Sequence, residues 1–144
     1  MSIHIQREMP APQTRVWEAI TQAAQLRRWF GQQAEVDLRV GGKLSFGWDG
    51  AEHETIGQII EVDIGKTFAF RWHTQHTPLT DPLNEENSTL VCLTLADSDY
   101  GSTLTLKESG FEKLPESIRQ NVLNENQYGW NVELTELVGY LSAG

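Results

Sequence analysis

One cysteine and eleven Lys and Arg are all that this 144-residue chain holds of those types, and each scarcity excludes something. A lone thiol, Cys92, leaves no internal disulfide and suits a reducing compartment. With 11 Lys and Arg against 20 Asp and Glu, the formal net charge is −9, which repels phosphate backbones; nucleic acid is not an expected partner. No apolar run approaches the roughly 20 residues that span a bilayer. The amino terminus, MSIHIQREMP, lacks the basic start and apolar stretch of a secretory signal. A cytoplasmic protein with no membrane partner is therefore expected. There is no nucleophile elbow, dinucleotide fingerprint or metalloprotease helix, and neither an internal repeat nor a low-complexity segment. No cofactor, metal or catalytic residue is called on this basis.

What is present is an ordinary globular composition, 39% hydrophobic and 22% charged, with five tryptophans. A chain of this size forms one core, so residues 1–144 are expected to be a single domain. Ile3, Ile5, Arg7 and Met9 alternate with polar residues, the period of a strand with one covered face. Pro12 then suits the first position of a helix whose Val16, Trp17 and Ile20 share a face. Thr21 is a candidate cap for a second short helix, in which Leu26, Trp29 and Phe30 form the apolar stripe. Gly31 stands where a left-handed terminal residue is wanted.

Residues 34 to 109 read as strands. Val36, Leu38 and Val40 alternate, Gly41-Gly42 turns, and Leu44, Phe46 and Trp48 alternate again. Asp49-Gly50 marks a turn, Ile56, Ile60 and Val62 lead to another at Asp63 to Lys66, and Phe68, Phe70 and Trp72 line one face of the next strand. HTQHTPLTDPLNEEN, His73 to Asn87, has no periodicity and predicts a long surface loop. Val91, Leu93 and Leu95, then Leu104 and Leu106, predict the last two strands. From Glu116 to Leu141 the chain can run helically for roughly 39 Å at 1.5 Å per residue, with Trp130, Leu134, Leu137 and Leu141 as its buried stripe. The sum is a strand, two short helices, six strands and a long helix: an antiparallel sheet with one element large enough to cover it.

The segments RVWEAIT, LRRWFG, VGGKLSF, GQIIEVD, FAFRW, TLTLKESGF and YGWNVELTELVGYL, in this order, resemble the START-like, birch-pollen-allergen-like superfamily called SRPBCC. Within it the chain is most similar to the branch of homologues of the activator of the ninety-kilodalton heat-shock chaperone's ATPase. The resemblance implies an α+β helix-grip fold: a curved seven-stranded antiparallel sheet around a long carboxy-terminal helix, with two short helices between strands 1 and 2. It also implies an internal cavity that in many members holds an apolar small molecule. The Asp-Pro-Pro turn common in relatives is Asp63-Ile64-Gly65 here. The family shares no single catalytic set, so no catalytic residue is carried over.

Several patterns read blandly. Gly65-Lys66-Thr67 mimics the end of a phosphate loop, but position 60 is Ile60 rather than glycine. His73 and His76 are too few ligands for zinc and read as solvated loop residues, and His53 as a surface residue. Asn87-Ser88-Thr89 has no meaning as a glycosylation acceptor without secretion. Cys92, out of phase with its apolar neighbours, is a packing residue.

The aromatics carry the functional expectation. The resemblance implies that Phe46, Trp48, Phe70 and Trp72 on the concave sheet, with Asn126 and Trp130 on the long helix, are the candidate ligand-binding wall, with Trp29 and Phe30 capping one end and Phe111 completing the set; the residues alone leave open which of these aromatics line a pocket and which fill the core. Three functions remain open: binding of a hydrophobic small molecule, docking on a heat-shock chaperone as the branch implies, or cyclase-like or hydrolase-like catalysis. The last requires Glu108, Tyr128 or Glu133 to turn inward.

Overall fold

In the computed structural model, which describes residues 1–48 and 54–143, seven strands and three α-helices follow one another in the expected order. Strand β1 (Ser2–Met9) is followed by α1 (Gln13–Thr21) and α2 (Ala23–Trp29). Then come β2 (Gln33–Val36), β3 (Lys43–Gly47), β4 (Glu54–Asp63), β5 (Thr67–His73), β6 (Ser88–Ser98) and β7 (Gly101–Ser109). A single 3-10 turn, Phe111–Lys113, leads into α3 (Glu116–Ser142). The strands form one antiparallel sheet in the order β1-β7-β6-β5-β4-β3-β2. Successive hairpins build β2 to β7, and β1 closes the far edge by pairing along its whole length with β7, from Ser2 opposite Ser109 to Met9 opposite Ser102. The short helices carry the chain from one edge of the sheet to the other.

Alternation decides which side chains enter the core. Leu104 and Leu106 of β7, Val91, Leu93 and Leu95 of β6, and Phe68, Phe70 and Trp72 of β5 all point toward α3 and are buried. From α3 the stripe Trp130, Leu134, Leu137 and Leu141 meets them, with Val122 nearly two turns into the helix. Burying each such side chain contributes on the order of 1.5–3 kcal/mol. Between Val122 and Trp130 no α3 residue is fully buried. Here helix and sheet part, and this gap positions the candidate site. Arg7 ties β1 to the helix from the other side, its Nη2 donating to Asn131 Oδ1 at 2.8 Å.

Local details differ from the sequence reading. Thr21 does not cap α2; it ends α1, and its hydroxyl donates back to the Trp17 carbonyl at 2.6 Å. Gly31 is not left-handed: a Cβ there would lie 2.8 Å from the Gly47 carbonyl, so glycine is needed for close approach rather than for turning. The alternation through Leu38 and Val40 is not strand. Strand β2 ends at Val36, and both side chains stand in solvent within the connection to β3, which Gly41 turns at φ +84°. Ile60 is exposed and Ile59 buried, because Thr55, Gly57 and Ile59 alternate inward; the bulge between Ile59 and Glu61 then shifts the phase of β4 so that Val62 is half-buried. The Asp49-Gly50 turn and His53 lie outside the described residues.

Candidate functional site: a cavity between the long helix and the sheet

Residue Glu108 lies where the alternation of Leu104 and Leu106 continues, so its carboxylate enters the core and is fully buried. Four donors converge on it. Trp72 Nε1 (3.1 Å), Thr89 Oγ1 (2.6 Å) and Asn126 Nδ2 (2.9 Å) donate to Oε2, and Trp130 Nε1 (2.8 Å) donates to Oε1. Burial pushes its pKa above the usual carboxylate value, while the bonds from Thr89, Trp72, Trp130 and Asn126 pull the other way. This cluster joins β5, β6 and β7 to α3 through polar contacts in an otherwise apolar interior. An incomplete set of partners would be costly there; the set is complete.

The two indoles held by Glu108 stack on each other, centroids 5.5 Å apart and 25° from parallel. Phe30, from the end of α2, stacks against Trp130 (5.6 Å, 24°) and faces Trp72 (6.4 Å, 20°). Trp48, just after β3, meets Phe30 edge-on at 5.3 Å, and its Nε1 donates to the Phe30 carbonyl at 2.6 Å. The crowding of Trp29 and Phe30 before Gly31 thus has two outcomes. Trp29 turns down into the core, its Nε1 donating to the Ala19 carbonyl at 2.8 Å. Phe30 turns up into the ring cluster.

Above this cluster, between α3 and the loop after β5, lies a cavity of about 310 Å³. Phe30, Trp48, Trp72 and Trp130 form its aromatic wall; Gln75, Glu125, Asn126, Gly129 and Glu133 complete it. A Cβ added at Gly129 meets nothing within 4 Å, so the helix is open to the cavity there. A recess of about 80 Å³ shares Trp48, Trp72, Gln75 and Asn126 with it and continues to Thr55, His73 and Thr74. Deeper, among Ile20, Trp29, Phe46 and Phe70, the remaining void is only about 20 Å³. The lower core is filled and the upper part is not. A larger depression of about 740 Å³ beside Asn84, Glu85, Glu86 and Lys113 has only those four polar residues for walls, two of them joined in a 2.9 Å ion pair. It encloses nothing apolar.

Burial, and then the neighbouring Glu136 charge, push the Glu133 carboxyl up to about 7, against a smaller downward pull from the Trp48 indole. Its Oε2 is buried with no hydrogen-bond partner among the described residues. Glu125 sits 3.7 Å from His76 Nε2 at the rim. His73 departs from the solvated-loop reading. It closes β5, is 4% exposed, and neither of its ring nitrogens has a hydrogen-bond partner among the described residues.

Of the residues expected to form the site, Phe30, Trp48, Trp72, Asn126 and Trp130 stand together on the cavity wall. Trp29, Phe46 and Phe70 lie around the filled lower void, and Phe111 is fully buried in the 3-10 turn, away from the cavity wall. Of the three residues whose inward turn catalysis would require, Glu108 and Glu133 turn in, whereas Tyr128 is 74% exposed. Glu108 was legible as a core position from the phase of TLTLKES. Glu133, one residue short of the Leu134 stripe, carried no such signal. Chemically the arrangement can enclose an apolar group and offer it a carboxyl able to gain or lose a proton near neutrality.

The sequence matches the model of the family described as Activator of Hsp90 ATPase homolog 1-like protein over residues 10–142. Among similar solved structures is protein MLL2253 from Mesorhizobium loti, with 19% identity, a TM-score of 0.82, and coverage of 99% of this chain and 98% of that one. CalU16 from Micromonospora echinospora shares 25% identity at a TM-score of 0.69, over 98% of this chain and 76% of its own. PFC0360w from Plasmodium falciparum, described as an HSP90 activator, shares 26% at 0.75, over 99% and 96%. No curated protein matches the sequence. Among the described residues, no helix is long and apolar enough to cross a membrane.

Proposed function

The chain belongs to the Activator of Hsp90 ATPase homolog 1-like family, and on that premise we propose that it is a small-molecule-binding protein whose apolar or aromatic ligand sits between α3 and the sheet. The observation that carries this is the cavity of about 310 Å³ walled by Phe30, Trp48, Trp72 and Trp130. It reaches the range of about 300–1,000 Å³ in which small-molecule sites fall, and its mix of rings with a few polar groups is typical of them. Residues 73 to 87 serve as the gate, since Gln75 borders the mouth. The test is a titration of neutral aromatic probes followed by tryptophan fluorescence and by the indole N–H resonances. Saturable shifts at Trp72 and Trp130 support the reading; a folded protein that responds to no member of a broad panel overturns it.

Docking on a heat-shock chaperone is the second reading, favoured by the family and by the 26% identity to a protein described as an HSP90 activator. A net charge of −9 would suit a basic surface on such a partner. Co-purification with the chaperone together with a change in its ATPase rate supports this reading. Neither effect at micromolar protein removes it.

A further inference from the structure

The hydrogen-bonding groups of the cavity wall are sorted in an unusual way. Every indole N–H that borders it is already engaged: Trp48 with the Phe30 carbonyl, Trp72 and Trp130 with Glu108. Asn126 also turns its amide nitrogen to Glu108. What the three indoles have left for an occupant is carbon, their electron-rich ring systems, further polarised by donating to a carboxylate. One unsatisfied acceptor remains: Glu133 Oε2 is buried with no partner among the described residues, while Glu125 stands at the rim 3.7 Å from His76 Nε2. Among the described residues that line the cavity there is no Lys or Arg, while three carboxyls, Glu108, Glu125 and Glu133, lie in or directly behind its wall.

Such a wall discriminates by charge. A neutral hydrocarbon would bury Glu133 further without a partner, which costs free energy. An anion would meet carboxyls and ring faces, both repulsive to it. A cation gains from the rings and from the open carboxylate together.

We infer that the cavity selects organic cations, specifically an aromatic or alkyl group bearing an ammonium nitrogen, with the nitrogen placed among the rings and against Glu133. This rests on the reading that the cavity holds a small molecule, and goes beyond it by fixing the sign of the ligand's charge and its donor character. The apolar part lies against Phe30 and Trp130, and the ammonium supplies the donor that Glu133 Oε2 lacks.

The experiment uses one ring system with three heads: 1-naphthylmethylammonium, 1-naphthylmethanol and 1-naphthoate, titrated at pH 8 by calorimetry with indole N–H shifts as the site reporter. The ammonium is expected to bind at least about tenfold more tightly than the alcohol, and the naphthoate most weakly. Glu133→Gln should narrow that gap, and Gly129→Leu, which fills the cavity from the helix, should abolish ammonium binding. Equal or tighter binding of the alcohol overturns the charge preference while leaving the binding function intact. Ammonium binding undiminished in Gly129→Leu places it outside the cavity and also overturns the inference. If neither these three probes nor any neutral aromatic shifts the indoles, both readings fall.

Discussion

Replacing Glu108 by glutamine keeps the side-chain shape but removes the charge and turns one acceptor into a donor. The carboxylate accepts from Trp72, Thr89 and Asn126 at Oε2 and from Trp130 at Oε1. Glutamine's least damaging orientation puts its amide nitrogen at the Oε1 position, facing the Trp130 N–H, so two donors oppose each other and one bond is lost. A buried donor left without a partner costs about 1–3 kcal/mol. The three surviving bonds lose their charge assistance, roughly 1 kcal/mol each. Against this stands relief from burying a charge, a penalty of several kcal/mol per ion, and the raised pKa of Glu108 shows that the penalty is felt. The expected net destabilisation is about 2 kcal/mol, a sizeable part of the roughly 5–15 kcal/mol typical of a domain. Urea unfolding followed by tryptophan fluorescence should show a lower midpoint at unchanged slope. Glu108→Leu should be worse still, because it leaves all four donors unpaired. A glutamine variant as stable as the parent, or a leucine variant more stable, would refute the claim that this carboxylate holds the two indoles and α3 together.

Gly129→Ala should stabilise the protein by about 0.5–1 kcal/mol, since the new methyl meets nothing within 4 Å and alanine favours the helix; urea midpoints check this. For Glu133 the folded pKa of about 7 exceeds its ordinary value of 4.5, so its protonated form stabilises the fold below pH 4.5 and that contribution is lost as pH rises through 7. With the side chain half-exposed, the effect reduces to about 1 kcal/mol after screening. Glu133→Gln should therefore match the parent at pH 4.5 and exceed it by about that amount at pH 8, read from unfolding curves at the two pH values. The same titration predicts that ammonium affinity in the parent falls as pH drops from 8 to 6, toward about tenfold per unit below the pKa. Among the described residues, Glu108, Glu125, Glu136, His73 and His76 are further ionisable groups on the elements around the cavity. A flat profile in Glu133→Gln would assign the slope to Glu133 rather than to them.

The sheet was legible because period-2 runs such as Phe68, Phe70 and Trp72 suit a strand with one face covered, and the long helix because Trp130, Leu134, Leu137 and Leu141 keep one stripe. The same rule misled at Leu38 and Val40, where alternation continues past the last ladder bond, and at Ile60, because the inward face of β4 is carried by Thr55, Gly57 and Ile59, two of which are not large apolar residues. Gly31 shows another limit: a sequence cannot tell a glycine needed for handedness from one needed because Gly47 passes 2.8 Å from its absent Cβ. In the site, the aromatics were visible by type, but their division into core and wall was not. Trp29 and Phe30 are adjacent in sequence, yet Trp29 borders only the lower void whereas Phe30 borders both that void and the cavity, because a short helix ending at Trp29 sends neighbouring side chains in different directions. His73 closes a strand in the midst of a polar segment, so its burial follows from tertiary packing that local polarity conceals.

The most direct measurement of the central claim is a titration of 1-naphthylmethylammonium into the ¹⁵N-labelled protein, following the indole N–H resonances of Trp48, Trp72 and Trp130 in the parent and in Gly129→Leu. Saturable shifts of all three in the parent, absent in the filled variant whose spectrum is otherwise that of the same fold, are the predicted result. Unmoved indoles in the parent, or equal shifts in both proteins, would contradict a receptor site between the helix and the sheet.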